Sequence, residues 1–118
     1  MSHHSHLPIY TAVFGFLKEL YMRVPKFAKQ YKYLLGEKLI GYTIDIISLI
    51  IEANNQRGVE RQRTLTNLAE ILELLILYVR MAEELNQWGS QKAYLFLSEK
   101  LVNISIQAEG WRKSTGTS

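Results

Sequence analysis

Basic side chains set among aromatic ones are the most chemically suggestive grouping in this 118-residue chain. Arg23, Lys26, Lys29 and Lys32 surround Phe27, Tyr31 and Tyr33. Arg57, Arg61 and Arg63 form a second cluster, and Arg112 and Lys113 stand near the end. Guanidinium and ammonium groups neutralise phosphates while rings stack on bases, which is the mixture used to hold single-stranded or structured RNA. The competing reading is a solvated basic loop whose aromatic residues pack inward.

Catalytic groupings are scarce by comparison. All three histidines, His3, His4 and His6, precede the first apolar run, so no Ser-His pair or His-metal site is expected within the fold. They are read as part of a disordered tail, native or appended, and not as metal ligands. With no cysteine there is no thiol nucleophile, disulfide or cysteine-ligated zinc. The serines lack a GxSxG context, and neither GxxxxGK[ST] nor GxGxxG occurs. Glu70 with Glu73, and Glu83-Glu84, lack the Glu-x-x-His partners a di-iron bundle needs, and read as a solvated face or as intersubunit ion pairs. The expectation is a non-enzymatic protein without cofactor or metal.

Long helices must position these groups. Two prolines, both early, leave most of the chain free to be helical. Pro8 suits a first helical turn, and Ile9, Val13, Phe16/Leu17, Leu20 and Val24 recur at helical spacing. Pro25 disfavours helical geometry at Val24 and ends the helix there. A second helix is predicted from Lys29–Tyr31 to about Asn55, with a seam of Leu35, Leu39, Tyr42, Ile46, Leu49 and Ala53. Gly58 reads as a C-terminal turn. A third helix then runs from Val59 to Asn86 or Gln87, with Leu65, Leu68, Leu72, Leu75, Val79 and Ala82 inward. Trp88-Gly89-Ser90 makes the last connection, with Ser90 as N-cap of a fourth helix. That helix carries Ala93 or Tyr94, Leu97, Leu101, Ile104 and Ala108, and is expected to end near Gly110–Arg112.

Four helices joined by short connections predict an all-α, up-down-up-down antiparallel four-helix bundle over residues 7–113, with disordered tails at 1–6 and 114–118. In that topology Arg57, Arg61 and Arg63 share one end with Arg112 and Lys113. Arg23, Lys26, Lys29 and Lys32 share the other end with the Trp88 connection. The net charge of +3 is the remainder of these basic ends around a more acidic stretch, 64–91. Ile40, Ile44, Ile47, Ile51, Leu74, Leu77 and Tyr78 lie off the seams, more apolar surface than an isolated bundle needs. Self-association would cover it; a wide core stripe is the alternative. No apolar run approaches the roughly 20 residues of a membrane-spanning helix, and the first residues lack a signal-peptide pattern, so a soluble intracellular protein is expected.

Several short motifs, in order, carry a resemblance over residues 7–113. Leu7-Pro8-Ile9-Tyr10 opens the first helix. Residues 24–39, VPKFAKQYKYLLGEKL, are similar to a pattern FPK, then basic and aromatic residues, then LG, a basic residue and I. Residues 74–84, LLILYVRMAEE, resemble an LR-x-x-x-RLA helix, and Glu109-Gly110-Trp111-Arg112-Lys113 resembles GGW-x-K. In this order they resemble the accessory variability determinant family of diversity-generating retroelements, which is similar to the four-helix proteins of ribosomal-RNA intervening sequences. Matched by position, Pro25-Lys26 and Gly36 fall at the first connection and the start of the second helix. Arg80 precedes the "LA" position, and Gly110 to Lys113 form the end motif. Val24 stands where Phe is usual, Met81 where Leu is, and Glu109 where the first Gly is.

The resemblance implies a homopentameric ring of four-helix bundles that binds RNA or DNA, associates with a reverse transcriptase in the cytoplasm and supports mutagenic copying of a template RNA. It leaves open an interaction scaffold of the intervening-sequence type, with no nucleic-acid role. Gly36 is read as permitting close helix approach and Trp111 as anchoring the last helix.

Overall fold

A computed structural model of the chain describes residues 4–116, and these are almost entirely helical. Helix α1 spans Pro8–Arg23, with Pro8 in its first turn, where a missing N–H costs nothing. Its buried residues are Ile9, Val13, Phe16 and Leu20, spaced four, three and four apart, as the sequence predicts. A 3-10 turn, Val24–Lys26, follows. Val24 is not driven out of helical geometry by Pro25: its φ and ψ are −57° and −39°. Pro25 sits where the tight turn needs no donor, and the chain leaves helical space at Phe27 and Ala28 instead (ψ 154° and 147°).

A one-turn helix α2, Lys29–Tyr31, passes through a π-helical stretch, Lys32–Gly36, into α3, Glu37–Asn54. The wider turn leaves Lys32, Tyr33 and Leu34 exposed and buries the adjacent pair Leu35 and Gly36. The inward face of α3 is rotated slightly from the predicted seam. Thr43 and Ile50 are fully buried, while Tyr42 and Leu49 are half-buried beside them. Thr43 tolerates this because its hydroxyl donates to the Leu39 carbonyl at 2.8 Å.

Helix α4 covers Gly58–Glu84. Gly58 is its first residue and not the end of α3, with a left-handed φ of +57° that follows extended Arg57. Leu65, Leu68, Leu72, Leu75, Val79 and Ala82 are buried as predicted. The helix stops before Asn86 through a Schellman motif: the Gln87 N–H donates to the Ala82 carbonyl (2.8 Å) and the Asn86 N–H to the Glu83 carbonyl (2.9 Å), with Asn86 at φ +58°. Helix α5, Gln91–Gly116, begins on the predicted cap, the Ala93 N–H donating to Ser90 Oγ at 3.1 Å. It runs past its expected end near Gly110–Arg112, into the segment read as a tail. His4–His6, also read as tail, form a 3-10 turn, and the His4 ring packs against Tyr10 at 5.1 Å. His3 and the outermost parts of both expected tails, 1–3 and 117–118, lie outside the described residues.

Helix α3 packs on α4 and α4 on α5, while α1 lies against both α3 and α5. Helices α1 and α4 therefore occupy opposite corners around one core in which Phe16, Leu20, Leu39, Ile46, Leu68, Leu75, Leu97 and Ile104 are fully buried. Tyr42 and Tyr78 meet edge to face across α3 and α4 at 5.5 Å, so part of the off-seam surface is used within the chain. Ile40 and Ile47 also pack against the core, whereas Ile44, Leu74 and Leu77 stay exposed. No helix of the described residues is long and apolar enough to cross a membrane.

Candidate nucleic-acid interface

The four basic residues around the first connection fall at one end of the molecule, but not in equivalent states. Arg23, in the last turn of α1, donates through Nε to Glu19 at 3.0 Å and sits 5.6 Å from the Phe96 ring. It is held in place and partly neutralised. Lys26, Lys29 and Lys32 are exposed and, among the described residues, make no ion pair. Of the interleaved rings, Phe27 turns inward against Trp88, edge to face at 5.1 Å, and Tyr31 is half-buried. Tyr33 is 68% exposed and is the ring here that remains open to stack on a base.

This end is tied together by the residues after α4. Trp88 is buried, and its Nε1 donates to the Val79 carbonyl at 2.8 Å. The Ala28 N–H donates to Gln87 Oε1 at 2.8 Å, and Gln87 Nε2 donates to the Leu85 carbonyl at 2.7 Å. The two connections thereby enclose a polar cavity of about 390 Å³ that Arg23 and Lys26 line on one side and Asn86 to Gly89 on the other. The sequence marks Trp88 only as part of a turn. Its role as the post on which both connections hang depends on Phe27 arriving from 61 residues earlier.

At the far end, Arg61 bridges the start of α4 to two other helices. Its Nε donates to the Ala53 carbonyl at 2.8 Å, capping the end of α3, and its guanidinium lies 5.6 Å from the Trp111 ring on α5. Trp111 is half-buried against the core, in keeping with an anchoring role. Of the predicted group, Arg61 thus reaches Trp111, the neighbour of Arg112 and Lys113 in the chain. Arg112 pairs with Glu109 at 2.6 Å, and this hydrogen bond holds the Glu109 carboxyl below the usual carboxylate range and raises the Arg112 guanidinium further. Arg57, Arg63 and Lys113 remain exposed without an ion pair among the described residues.

Of the nine predicted cations, three at each end therefore stay uncommitted, with Arg23, Arg61 and Arg112 serving structure. Lys92, exposed beside Arg23 at the start of α5, is a further cation at the first end that the sequence reading did not single out. Helix α4 separates the ends, and its 27 residues span about 40 Å at 1.5 Å per residue. Among the described residues, no group of three or more His, Asp or Glu stands close enough to hold a metal ion. No family model matches the chain, and no curated protein matches it in sequence.

Proposed function

We propose that this protein is a non-enzymatic, nucleic-acid-binding accessory protein of a diversity-generating retroelement, a member of the accessory variability determinant family. In this reading it is an up-down-up-down antiparallel bundle that assembles as a homopentameric ring in the cytoplasm, and associates with the reverse transcriptase and its template RNA or cDNA. The ordered motifs from Leu7 to Lys113 support the family, and the packing of four long helices around one core is compatible with it.

The observation that carries the nucleic-acid reading is the exposure of Lys26, Lys29 and Lys32 beside the open ring of Tyr33. Lysines free of carboxylates release counterions on meeting phosphate, and a free ring supplies stacking that depends little on base identity. Gel-shift titration with single-stranded RNA and DNA at two salt concentrations tests this. Binding that weakens as salt rises is expected, and no shift even at low salt overturns it.

A second reading, an interaction scaffold without a nucleic-acid role, is favoured by one observation. Three of the nine basic residues singled out, Arg23, Arg61 and Arg112, are engaged within the chain by Glu19, the Ala53 carbonyl and Glu109. The same titration separates the two.

A further inference from the structure

The bundle exposes two apolar surfaces with opposite charges at their edges. The first is a groove beside α1 and α5 of about 660 Å³, lined by Phe14, Leu17, Lys18, Tyr21, Met22 and Lys100. Tyr21 and Met22 are each 59% exposed. Its two lysines are held by neighbouring rings: Lys18 Nζ lies 5.6 Å from Phe14, which lines the groove, and Lys100 Nζ 4.7 Å from Phe96, one turn back on α5 and outside the groove lining. The carboxylate that also lines it, Glu19, is occupied by Arg23. Gly15 forms part of the wall, and a Cβ there would meet nothing within 4 Å. A mid-helix glycine costs about 0.5–1 kcal/mol relative to alanine, and no packing inside the chain requires one here.

The second surface is the outward ridge of α4. Leu74, Leu77 and Met81 are exposed along it at three- and four-residue spacing, with exposed Glu70, Glu73 and Glu84 beside them; Arg80 lies at its edge. A free monomer gains nothing from leaving both faces in water. Both surfaces are apolar, and the groove's two lysines are opposite in sign to the carboxylates that edge the ridge. Because α1 and α4 stand at opposite corners, ridge and groove lie on different sides of one copy. A chain cannot satisfy both within itself, and the contact repeats from copy to copy.

We propose that copies of this chain associate head to tail, the acidic-edged α4 ridge of one seated in the lysine-flanked α1/α5 groove of the next. This rests on the assembly part of the function proposed above and assigns its two faces. The contact is heterologous: each copy gives its ridge to one neighbour and its groove to the other.

Light scattering and sedimentation velocity on the full chain, with circular dichroism as a folding check, test it. The groove variant Lys18→Glu/Lys100→Glu and the ridge variant Glu70→Lys/Glu73→Lys are each expected to weaken assembly by about tenfold or more, since like charges then face each other. Gly15→Leu, which fills the groove without touching a charge, is expected to do the same. Mixed one to one, the two charge variants should assemble together with alternating copies, because native ridge then meets native groove and reversed ridge meets reversed groove. All four changes in one chain should restore assembly. Variants that assemble like the parent chain, or a mixture that stays monomeric, overturn the pairing while leaving an assembled parent. A monomeric parent at micromolar concentration overturns assembly altogether, and the gel-shift result stands apart from both.

Discussion

Gly36 and Val24 approach so closely that a Cβ on Gly36 would lie 2.5 Å from Val24 Cγ1. Val24 is β-branched and 7% exposed, so its methyl cannot swing aside. The glycine is required by contact and not by conformation, since its φ and ψ (−59°, −46°) are ordinary helical values. Gly36→Ala is expected to destabilise the protein by about 1–3 kcal/mol by overpacking, outweighing a helix-propensity gain of about 1 kcal/mol. Val24→Ala added to it should recover most of the loss. Urea denaturation of the two single variants and the double variant measures the coupling. Additive effects would place the cost elsewhere.

Trp88 gives a second prediction. Trp88→Phe keeps a ring against Phe27 but deletes the bond to the Val79 carbonyl, at a cost of about 1 kcal/mol. Trp88→Ala leaves a cavity and is expected to cost about 3–5 kcal/mol. Hydrogen exchange should localise the Trp88→Phe effect to the two connections at that end, 24–29 and 85–90. Uniform loss of protection across all the helices would contradict that localisation.

The two basic ends are separable in binding. Lys26→Glu/Lys29→Glu/Lys32→Glu removes the uncommitted cations beside Tyr33, and Arg57→Glu/Arg63→Glu/Lys113→Glu removes those at the far end. All six side chains are exposed, so helix content should be unchanged in circular dichroism. The end that contacts nucleic acid is the one whose variant lowers both affinity and the slope of log K against log salt, by about 0.7 per lost contact on single strands. Arg61→Gln is expected to act mainly on stability, since it uncaps α3. A binding defect without a stability defect would reverse that assignment.

The Glu109–Arg112 pair sets a pH dependence. The hydrogen bond from Arg112 lowers the folded-state pKa of Glu109, so the pair's contribution is fully present above the carboxyl's unfolded pKa and is lost as pH falls through the lowered one. Arg112 stays charged throughout that window, and protonating Glu109 frees its guanidinium for another anion. NMR titration should find Glu109 below the ordinary glutamate range, returning to it in Arg112→Gln. An unshifted Glu109 in the parent chain would remove this pH term.

Much of the fold is legible in the sequence because helical periodicity is local. Ile9, Val13, Phe16 and Leu20 announce α1, the leucines from Leu65 to Leu75 announce α4, and Ser90 announces the cap of α5, each within a turn or two of itself. The basic residues are legible as clusters for the same reason, since charge is a property of residue type. The Glu19–Arg23 and Glu109–Arg112 pairs are local in the same way, four and three residues apart, each on one helix. Tertiary structure alone decides that Arg61 reaches the Ala53 carbonyl and the Trp111 ring, which it meets only once α4 packs against α3 and α5. It also decides that Gly36 answers to Val24, that Asn86 takes the left-handed conformation closing α4, and that Phe27 turns inward to Trp88 while Tyr33 stays out. Periodicity names the buried face of a helix, but not which neighbour that face meets or which polar group it leaves free. Those follow from distances across the core, between residues far apart in the chain.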